Sequence, residues 1–268
     1  MRRIATLLIA VTALLMQTAV AGMQEARHDR SDVGDRGDFQ EREEIRQTYQ
    51  IAPGTSVEIS NINGPLEIET VSGNTAEVYV VRSARTKADL EFHKIIIENT
   101  PSTFKLYGAQ DDENSNGVTV RHRAVLKLPR PSSLKVHNIN GPARVGDSDG
   151  PITLGNINGR LQVGVANDFA ELSNINGSTD MTIAQLGSRG IQMRNMNGSI
   201  NIRFLSDVNA DLEVHSFNGS VDSSLPNMSI QKTGRSEFKG QIGSGGIPIT
   251  GTHVNGAISI RRASDTAK

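Results

Sequence analysis

The chain contains no cysteine, so neither a disulfide bond nor a cysteine-linked lipid anchor can hold or tether it. Tryptophan is also absent, and there are only 3 tyrosines and 7 phenylalanines among the 268 residues. A dedicated sugar-binding module usually offers a platform of aromatic rings, and this composition does not supply one openly. The fold must therefore be stable without covalent cross-links, and we expect any ligand to meet polar side chains.

Signatures of catalysis and of cofactor binding are missing as well. No Gly-x-Ser-x-Gly elbow or dinucleotide fingerprint occurs, and Gly243-Ser244-Gly245-Gly246 lacks the Lys-Ser/Thr and helix that follow a phosphate loop. The histidines show no metal-ligand spacing. His122 stands between two arginines, and we expect it on a solvated strand face. The sequence predicts no cofactor, no metal site and no enzymatic activity.

The first 21 residues have the three parts of a secretory signal. Met1-Arg2-Arg3 is followed by an apolar run at 4–16 and by Ala19-Val20-Ala21, and the run is too short to span a bilayer. Cleavage after Ala21 would remove two arginines and change the formal net charge from −1 to −3. We therefore expect an exported chain (periplasmic, cell-surface or secreted) with no transmembrane segment after cleavage and no nucleic-acid partner.

The rest of the chain divides by composition. The expected parts are a flexible linker at 22–46, one strand-rich domain at 47–262 and a polar tail at 263–268. The linker is charged and nearly free of large apolar side chains. Within the domain, 47–130 is irregular and 131–262 is a repeat. We expect the irregular section to cap one end of the repeat and Arg261-Arg262 to blunt the other, because an uncapped stack exposes sheet edges.

One short phrase, Asn-Ile-Asn-Gly or a close variant, recurs along the domain. Its glycines from Gly141 to Gly256, with Gly240 of the weaker copy Phe238-Lys239-Gly240 included, are spaced 18, 18, 21, 21, 21 and 16 residues apart, which is typical of stacked repeats. Asn and Gly accept positive φ at low cost, so we predict a structural bend at each Asn-Gly pair. The predicted bends lie at Asn63-Gly64, Asn140-Gly141, Asn158-Gly159, Asn176-Gly177, Asn197-Gly198, Asn218-Gly219 and Asn255-Gly256.

The residues on either side of each bend alternate between apolar and polar, which is the period of a β-strand. No helical spacing occurs in the repeat. The position immediately before the Asn-Gly pair is apolar in every copy. It holds Ile139, Ile157, Ile175, Met196, Phe217 and Val254.

Two all-β architectures fit this pattern. In a single-stranded β-solenoid, each repeat of 18–21 residues is one coil, equivalent residues stack about 4.8 Å apart and the asparagines form amide ladders. In a meander, each Asn-Gly pair is a hairpin turn that pairs Leu154 with Val163 and Ile152 with Val165. The meander places the apolar position of Ile157 outside. Because a position that is always apolar should lie inside, we favour the solenoid.

The combination of export signal, charged linker, strand-rich opening, Val-Leu-Lys-Leu-Pro step at Val125–Pro129 and serial Asn-Gly repeats resembles the bacterial putative-adhesin family. The members of this family are exported β-strand-repeat proteins, and the family is otherwise described as a domain of unknown function. The resemblance covers residues 47–262. It implies a β-solenoid and a cell-envelope or surface location, and it brings no functional residues with it.

Three functions remain open at this point. We favour an adhesin-like or envelope-scaffold protein whose repetitive polar face meets a polysaccharide or protein. The alternative is a polysaccharide-cleaving enzyme using Asp180 and Asp222, which two strand steps would place about 9–10 Å apart, as in inverting glycosidases. The third is a self-assembling scaffold whose coils stack end to end.

Overall fold

The computed structural model describes residues 39–52, 54–110, 119–130, 133–215 and 217–263. The predicted export signal, the first part of the predicted linker and residues 264–268 lie outside the described residues. Within them the regular secondary structure is β-strand, apart from a single helix of 6 residues. The predicted all-β class is confirmed. None of the described helical residues forms a segment long and apolar enough to cross a membrane.

The elements follow one another closely along the chain. The first half contains β1 (Glu41–Gln50), β2 (Ser56–Ile62), β3 (Leu66–Val71), β4 (Thr75–Ala84), α1 (Lys87–Phe92), β5 (His93–Asn99), β6 (Thr103–Gln110), β7 (Arg121–Pro129), β8 (Ser133–Ile139) and β9 (Ala143–Val145). The second half contains β10 (Ile152–Asn158), β11 (Leu161–Ala166), β12 (Ala170–Asn176), β13 (Thr179–Ile183), β14 (Ile191–Asn197), β15 (Ile200–Phe204), β16 (Ala210–His215), β17 (Val221–Ser223), β18 (Met228–Gly234), β19 (Glu237–Ile242), β20 (Ile247–Asn255) and β21 (Ile258–Arg262).

The strands form two large mixed sheets. Sheet A has 10 strands in the order β1-β4-β7-β3-β9-β11-β13-β15-β21-β17. Sheet B has 11 strands in the order β18-β19-β16-β20-β14-β12-β10-β8-β2-β6-β5. Each sheet has two open edges, so neither sheet closes on itself. Buried side chains from both sheets form one apolar cluster.

The period-two pattern determines which side chains enter that cluster. In β10, Ile152 and Leu154 are buried, and Thr153 between them is only half-buried. The apolar position before each Asn-Gly pair is also inside. The residues at this position, from Ile139 to Val254, are only 1 to 3% exposed. The prediction that this position lies in the core is therefore confirmed.

Successive repeats pair in parallel and in register. Each repeat from β8 to β15 contributes one strand to sheet B and the next to sheet A. The aligned partners include Leu134, Ile152, Ala170 and Ile191 in sheet B, and Val145, Val163, Met181 and Ile202 in sheet A. The meander is therefore wrong, because Leu154 pairs with Val136 and Leu172, and Val163 lies in the other sheet.

At the C-terminal end of the stack, spatial order departs from sequence order. β20 lies between β14 and β16, and β21 lies between β15 and β17. Residues 247–262 thus form an inner layer, with residues 210–223 outside them. The expectation that Arg261-Arg262 blunts the last strand is wrong, because β17 lies beyond β21 in sheet A.

The other end shows the same kind of insertion. The strands β2 and β3 lie between the first regular repeat and the pair β6 and β7, and the antiparallel strands β1, β4 and β5 lie outside these. The predicted linker ends earlier than residue 46, because β1 begins at Glu41 and pairs along its length with β4. Ile45 and Tyr49 of this strand pack on the core, whereas most of its charged residues are exposed, and charge is a common protection of edge strands.

Candidate functional site

Each full copy of the phrase passes from sheet B to sheet A through a bend with two left-handed residues. The first asparagine of the phrase has φ between 52° and 58°, and the glycine has φ between 141° and 158°. These first asparagines are Asn61, Asn138, Asn156, Asn174 and Asn195. The Asn of the predicted Asn-Gly pair has no positive φ in any described repeat. The left-handed position falls instead on the first asparagine, a residue type that tolerates it unusually well.

The second asparagines form a continuous side-chain ladder, called here the second rank. Each Nδ2 donates to the Oδ1 of its neighbour toward Asn63, at distances of 2.9–3.2 Å. The order is Asn63, Asn140, Asn158, Asn176, Asn197, Asn255 and Asn218. Asn63 ends the ladder by donating to the backbone oxygen of Val120 at 2.8 Å.

The first asparagines form a parallel ladder that sequence reasoning missed, called here the first rank. Its Nδ2–Oδ1 distances are 2.8–2.9 Å from Asn195 to Asn61. Asn61 donates to the backbone oxygen of Gly108 at 3.1 Å. The signal was present, because the first asparagine recurs in each full copy of the phrase. In the repeat at 247–262 its place is taken by His253, which has the same positive φ of 54°.

The glycines of the bends stack backbone against backbone beside the second rank. A side chain on Gly177 would place its Cβ 2.6 Å from the carbonyl carbon of Gly159 and closer still to its oxygen. The same crowding by a neighbouring backbone occurs at Gly64, Gly141, Gly159, Gly198, Gly219 and Gly256. These bends therefore require glycine for space, and all of them except the one at Gly219 also require it for φ.

The two ranks together are called here the asparagine edge. Their side chains are exposed, apart from the half-buried Asn63. A carboxamide has two N–H donors and an oxygen with two acceptor positions, and the ladder uses one of each. The remaining donor and acceptor positions repeat along the edge at about 4.8 Å, the distance between neighbouring strands. The edge can therefore meet a ligand that itself repeats.

The aspartates of the enzyme hypothesis are farther apart than the sequence predicted. Asp180 aligns with Asn201, then with Ser259 on the inserted β21, and only then with Asp222. Three strand steps place the two carboxylates about 14 Å apart, beyond the spacing of a glycosidase pair. Each carboxylate is also engaged, because Asn201 donates to Asp180 at 2.9 Å and Arg261 pairs with Asp222 at 3.0 Å. The spacing that motivated this catalytic pair is wrong.

Charged clusters lie on the outer face of sheet B. Hydrogen bonds from Lys135 and His137 hold the pKa of Glu58 below its ordinary value. Near the opposite end, Lys239 lowers the pKa of Glu213 in the same way. Within the described ranges no three His, Cys, Asp or Glu residues are placed to hold a metal ion. These clusters are ion pairs on a solvated strand face.

A second polar cluster is buried inside the irregular section. Arg82 and His122 are cross-strand partners on the core face of β4 and β7, only 6 and 4% exposed. Arg82 pairs with Glu43 and donates to the backbone oxygens of Leu90 and His93 at 2.7 Å. The Nδ1 of His122 accepts the backbone N–H of Asn63 at 3.1 Å. The expected solvated position of His122 is therefore wrong.

Substitution of Asn156 separates two roles of the first rank, namely the hydrogen bonds along the ladder and the left-handed backbone conformation. Asn156→Ala removes the ladder bonds to Asn138 and Asn174 and forces alanine into φ 52°. Asn156→Gly removes the same bonds without that steric conflict. We expect the alanine variant to be less stable than the glycine variant by about 1 kcal/mol in urea denaturation. Equal losses would mean that the left-handed conformation does not select asparagine here.

Comparison with known proteins finds structural neighbours. No family model matches the chain, and no curated protein matches it by sequence. A putative cell adhesion protein from Clostridium sporogenes has 14% identity and a TM-score of 0.44, with 82% of this chain and 100% of that chain covered.

Two further solved structures come from other bacteria. A putative adhesin from Bacteroides fragilis has 10% identity and a TM-score of 0.33, with coverage of 81 and 97%. A putative lipid binding protein from Parabacteroides distasonis has 12% identity and a TM-score of 0.23, with coverage of 82 and 96%. The resemblance to adhesin-like proteins predicted from the sequence is confirmed as a resemblance.

Proposed function

We propose that this chain is an exported, non-enzymatic adhesin-like or envelope-scaffold protein whose repeats are the coils of a β-solenoid. The parallel register of successive repeats supports the solenoid, because each repeat adds one strand to each sheet. The secretory signal pattern supports export to the periplasm, the cell surface or the medium. Stacked coils of this kind suit a protein that presents a long surface.

The observation that carries the proposal is the asparagine edge. Its two ranks are exposed, fixed by their own hydrogen bonds and uncharged, so little conformational entropy is lost when a ligand binds. The free donor and acceptor positions suit a polymer that repeats hydroxyl or amide groups. An envelope or surface polysaccharide is the ligand class that fits best, with an extended protein segment as the other polar polymer.

Size-exclusion chromatography of envelope and host polysaccharides, each run with and without residues 22–268, tests this function. We expect the protein to co-elute with an intact polymer. A polymer shifted to smaller size would overturn the non-enzymatic proposal. Absence of co-elution with every polysaccharide would overturn the polysaccharide ligand.

Paired variants locate the binding surface on the protein. Asn158→Ala with Asn176→Ala removes carboxamides from the second rank, and we expect co-elution to weaken at least tenfold in apparent affinity, about 1.4 kcal/mol. Thr153→Ala with Gln192→Ala alters the outer face of sheet B in the same part of the stack. Both proteins are compared below their melting temperatures. Equal weakening by the two pairs would move the binding surface away from the asparagine edge.

End-to-end self-assembly stays a prediction alongside ligand binding. The open edges that it would use are β1 and β17 in sheet A, and β5 and β18 in sheet B. Light scattering at increasing concentration should then reveal particles that grow without a fixed size. A strict monomer throughout would dismiss this assembly.

A further inference from the structure

The last strands of the described chain are an inner layer of the stack. We call residues 247–262 the C-terminal coil; it consists of β20 and β21 with the bend between them. β20 pairs in parallel with β14 on one side and β16 on the other, and β21 pairs with β15 and β17. The coil therefore fills a slot between two repeats that precede it in the sequence.

The slot matches the coil on both of its walls. Ile249 aligns with Ile191 on one side and Leu212 on the other, and Ile258 aligns with Ile200 and Val221. Both isoleucines are fully buried. Asn255 donates to Asn197 and accepts from Asn218, so it joins the second rank across the slot. An empty slot would leave two unpaired strand edges in each sheet and two apolar walls.

The chain enters the C-terminal coil through a short glycine-rich connection, residues 243–246. This connection joins β19 to β20 across β16, and three of its residues are glycines with positive φ. Two side chains hold it, since Asn209 accepts the N–H of Ser244 at 3.0 Å and Asp211 accepts that of Gly246 at 2.8 Å. Once these bonds open, glycines allow the connection to extend away from its own slot.

We propose that the C-terminal coil exchanges between copies of this chain, so that residues 247–262 of one molecule fill the slot of a second molecule. The occupant is the same segment that fills the slot within one chain. Every core contact, strand pair and ladder bond of the closed monomer is therefore remade in the exchanged dimer. Its stability relative to the monomer depends on concentration and on the connection. The exchange involves only the C-terminal coil and its slot, so it does not depend on whether the asparagine edge binds a polymer.

A nicked protein tests whether the slot accepts a coil from outside. A protease site is inserted between Gly245 and Gly246, where a Cβ on Gly246 would meet nothing within 4 Å, and the folded protein is cleaved there. A labelled peptide of residues 247–263 is then added in excess below the melting temperature. We expect the label to co-elute with the protein and the original coil to be released. The matched control peptide carries Ile249→Asp and Ile258→Asp, which place charges against both walls of the slot.

The outcomes of the nicked-protein experiment are distinct. Uptake of the native peptide with at least a tenfold preference over the control supports the slot. No uptake, or equal uptake of both peptides, overturns the proposal, because the coil would then not be a separable layer.

The intact chain tests exchange between two copies. Concentrated protein with light and heavy isotopes is warmed below its melting temperature, and native mass spectrometry counts mixed dimers. Gln192→Cys with Thr250→Cys, at aligned positions of β14 and β20, locks the coil in its own slot when oxidised. We expect mixed dimers in the unlocked and reduced proteins and none in the oxidised one. Dimers that persist after locking, or no dimers in any form, would overturn exchange of the coil.

Discussion

Replacing Gly177 with valine is expected to lower the free energy of unfolding by about 4 kcal/mol, the sum of backbone strain and overpacking. Gly177 has φ 151°, and a Cβ added there would meet the backbone of Gly159 in the preceding repeat. That backbone cannot retreat easily, because the N–H of Gly159 donates to the backbone oxygen of Asn176 and that of Gly177 donates to the backbone oxygen of Asn197, both at 2.9 Å. A valine would therefore separate two hydrogen-bonded layers.

Gly73 offers the matched control, since it has a positive φ of 123° but nothing within 4 Å of an added Cβ. Gly73→Val carries backbone strain without the collision, and we expect it to lose about 1–2 kcal/mol. Urea denaturation followed by circular dichroism measures both variants. Equal losses at the two positions would contradict the close stacking of the glycine column.

The bends and the core positions could be predicted because they depend on local properties. A β-branched or large apolar residue before each Asn-Gly pair indicates burial, and Ile157 and its equivalents are buried. The direction of pairing followed from the same residues, since only a passage from one sheet to the other places Ile157 inside. The all-β class therefore follows from patterns within single repeats.

The order of the layers could not be predicted, because it depends on pairing between distant segments. Residues 210–223 and 247–262 present equivalent apolar positions, such as Leu212 and Ile249, so either could stack on β14. The sequence order suggested the first, and the structure places the second there. Because β21 lies between β15 and β17, Asp222 is three strand steps away from Asp180 instead of the predicted two.

In the irregular section, strand β1 and the buried pair of Arg82 and His122 could not be predicted for a different reason. β1 has the composition of a linker, and its two inward residues, Ile45 and Tyr49, are four apart rather than two. The buried pair of Arg82 and His122 occupies positions where the period-two pattern predicts apolar residues on the core face. Both side chains hydrogen-bond to backbone groups outside their own strands, which no local pattern reports.

Lowering the pH from 7 to 4 is expected to lower the free energy of unfolding through His122 by about 3 kcal/mol. Burial, with the charges of Arg82 and His93 nearby, lowers the pKa of His122 from 6.5 to about 4. Between these two pKa values His122 binds a proton in the unfolded chain but not in the folded chain. The contribution of neutral His122 to the free energy of unfolding is therefore complete above pH 6.5 and is lost as the pH falls toward 4. At about 1.4 kcal/mol per pH unit, the interval from 6.5 to about 4 gives the expected loss of about 3 kcal/mol.

Urea denaturation at intervals from pH 7 to 4 measures the effect, with His122→Gln as the control. The glutamine variant cannot take up this proton, so it should be less stable at pH 7 but lose less stability as the pH falls. The difference between the two proteins isolates His122 from the surface carboxylates Glu58 and Glu213, which titrate in both. Parallel curves would contradict the prediction.

The geometry around His122 explains why its protonation is resisted. With Nδ1 accepting the N–H of Asn63, the ring carries its own proton on Nε2, which is buried and has no hydrogen-bond partner among the described residues. A second proton would have to sit on Nδ1, facing the Asn63 N–H at 3.1 Å. It would also add a positive charge beside Arg82, whose own charge is balanced by Glu43. The N–H of Asn63 would then lose its acceptor, so acid should loosen the stack at the irregular section before the regular repeats.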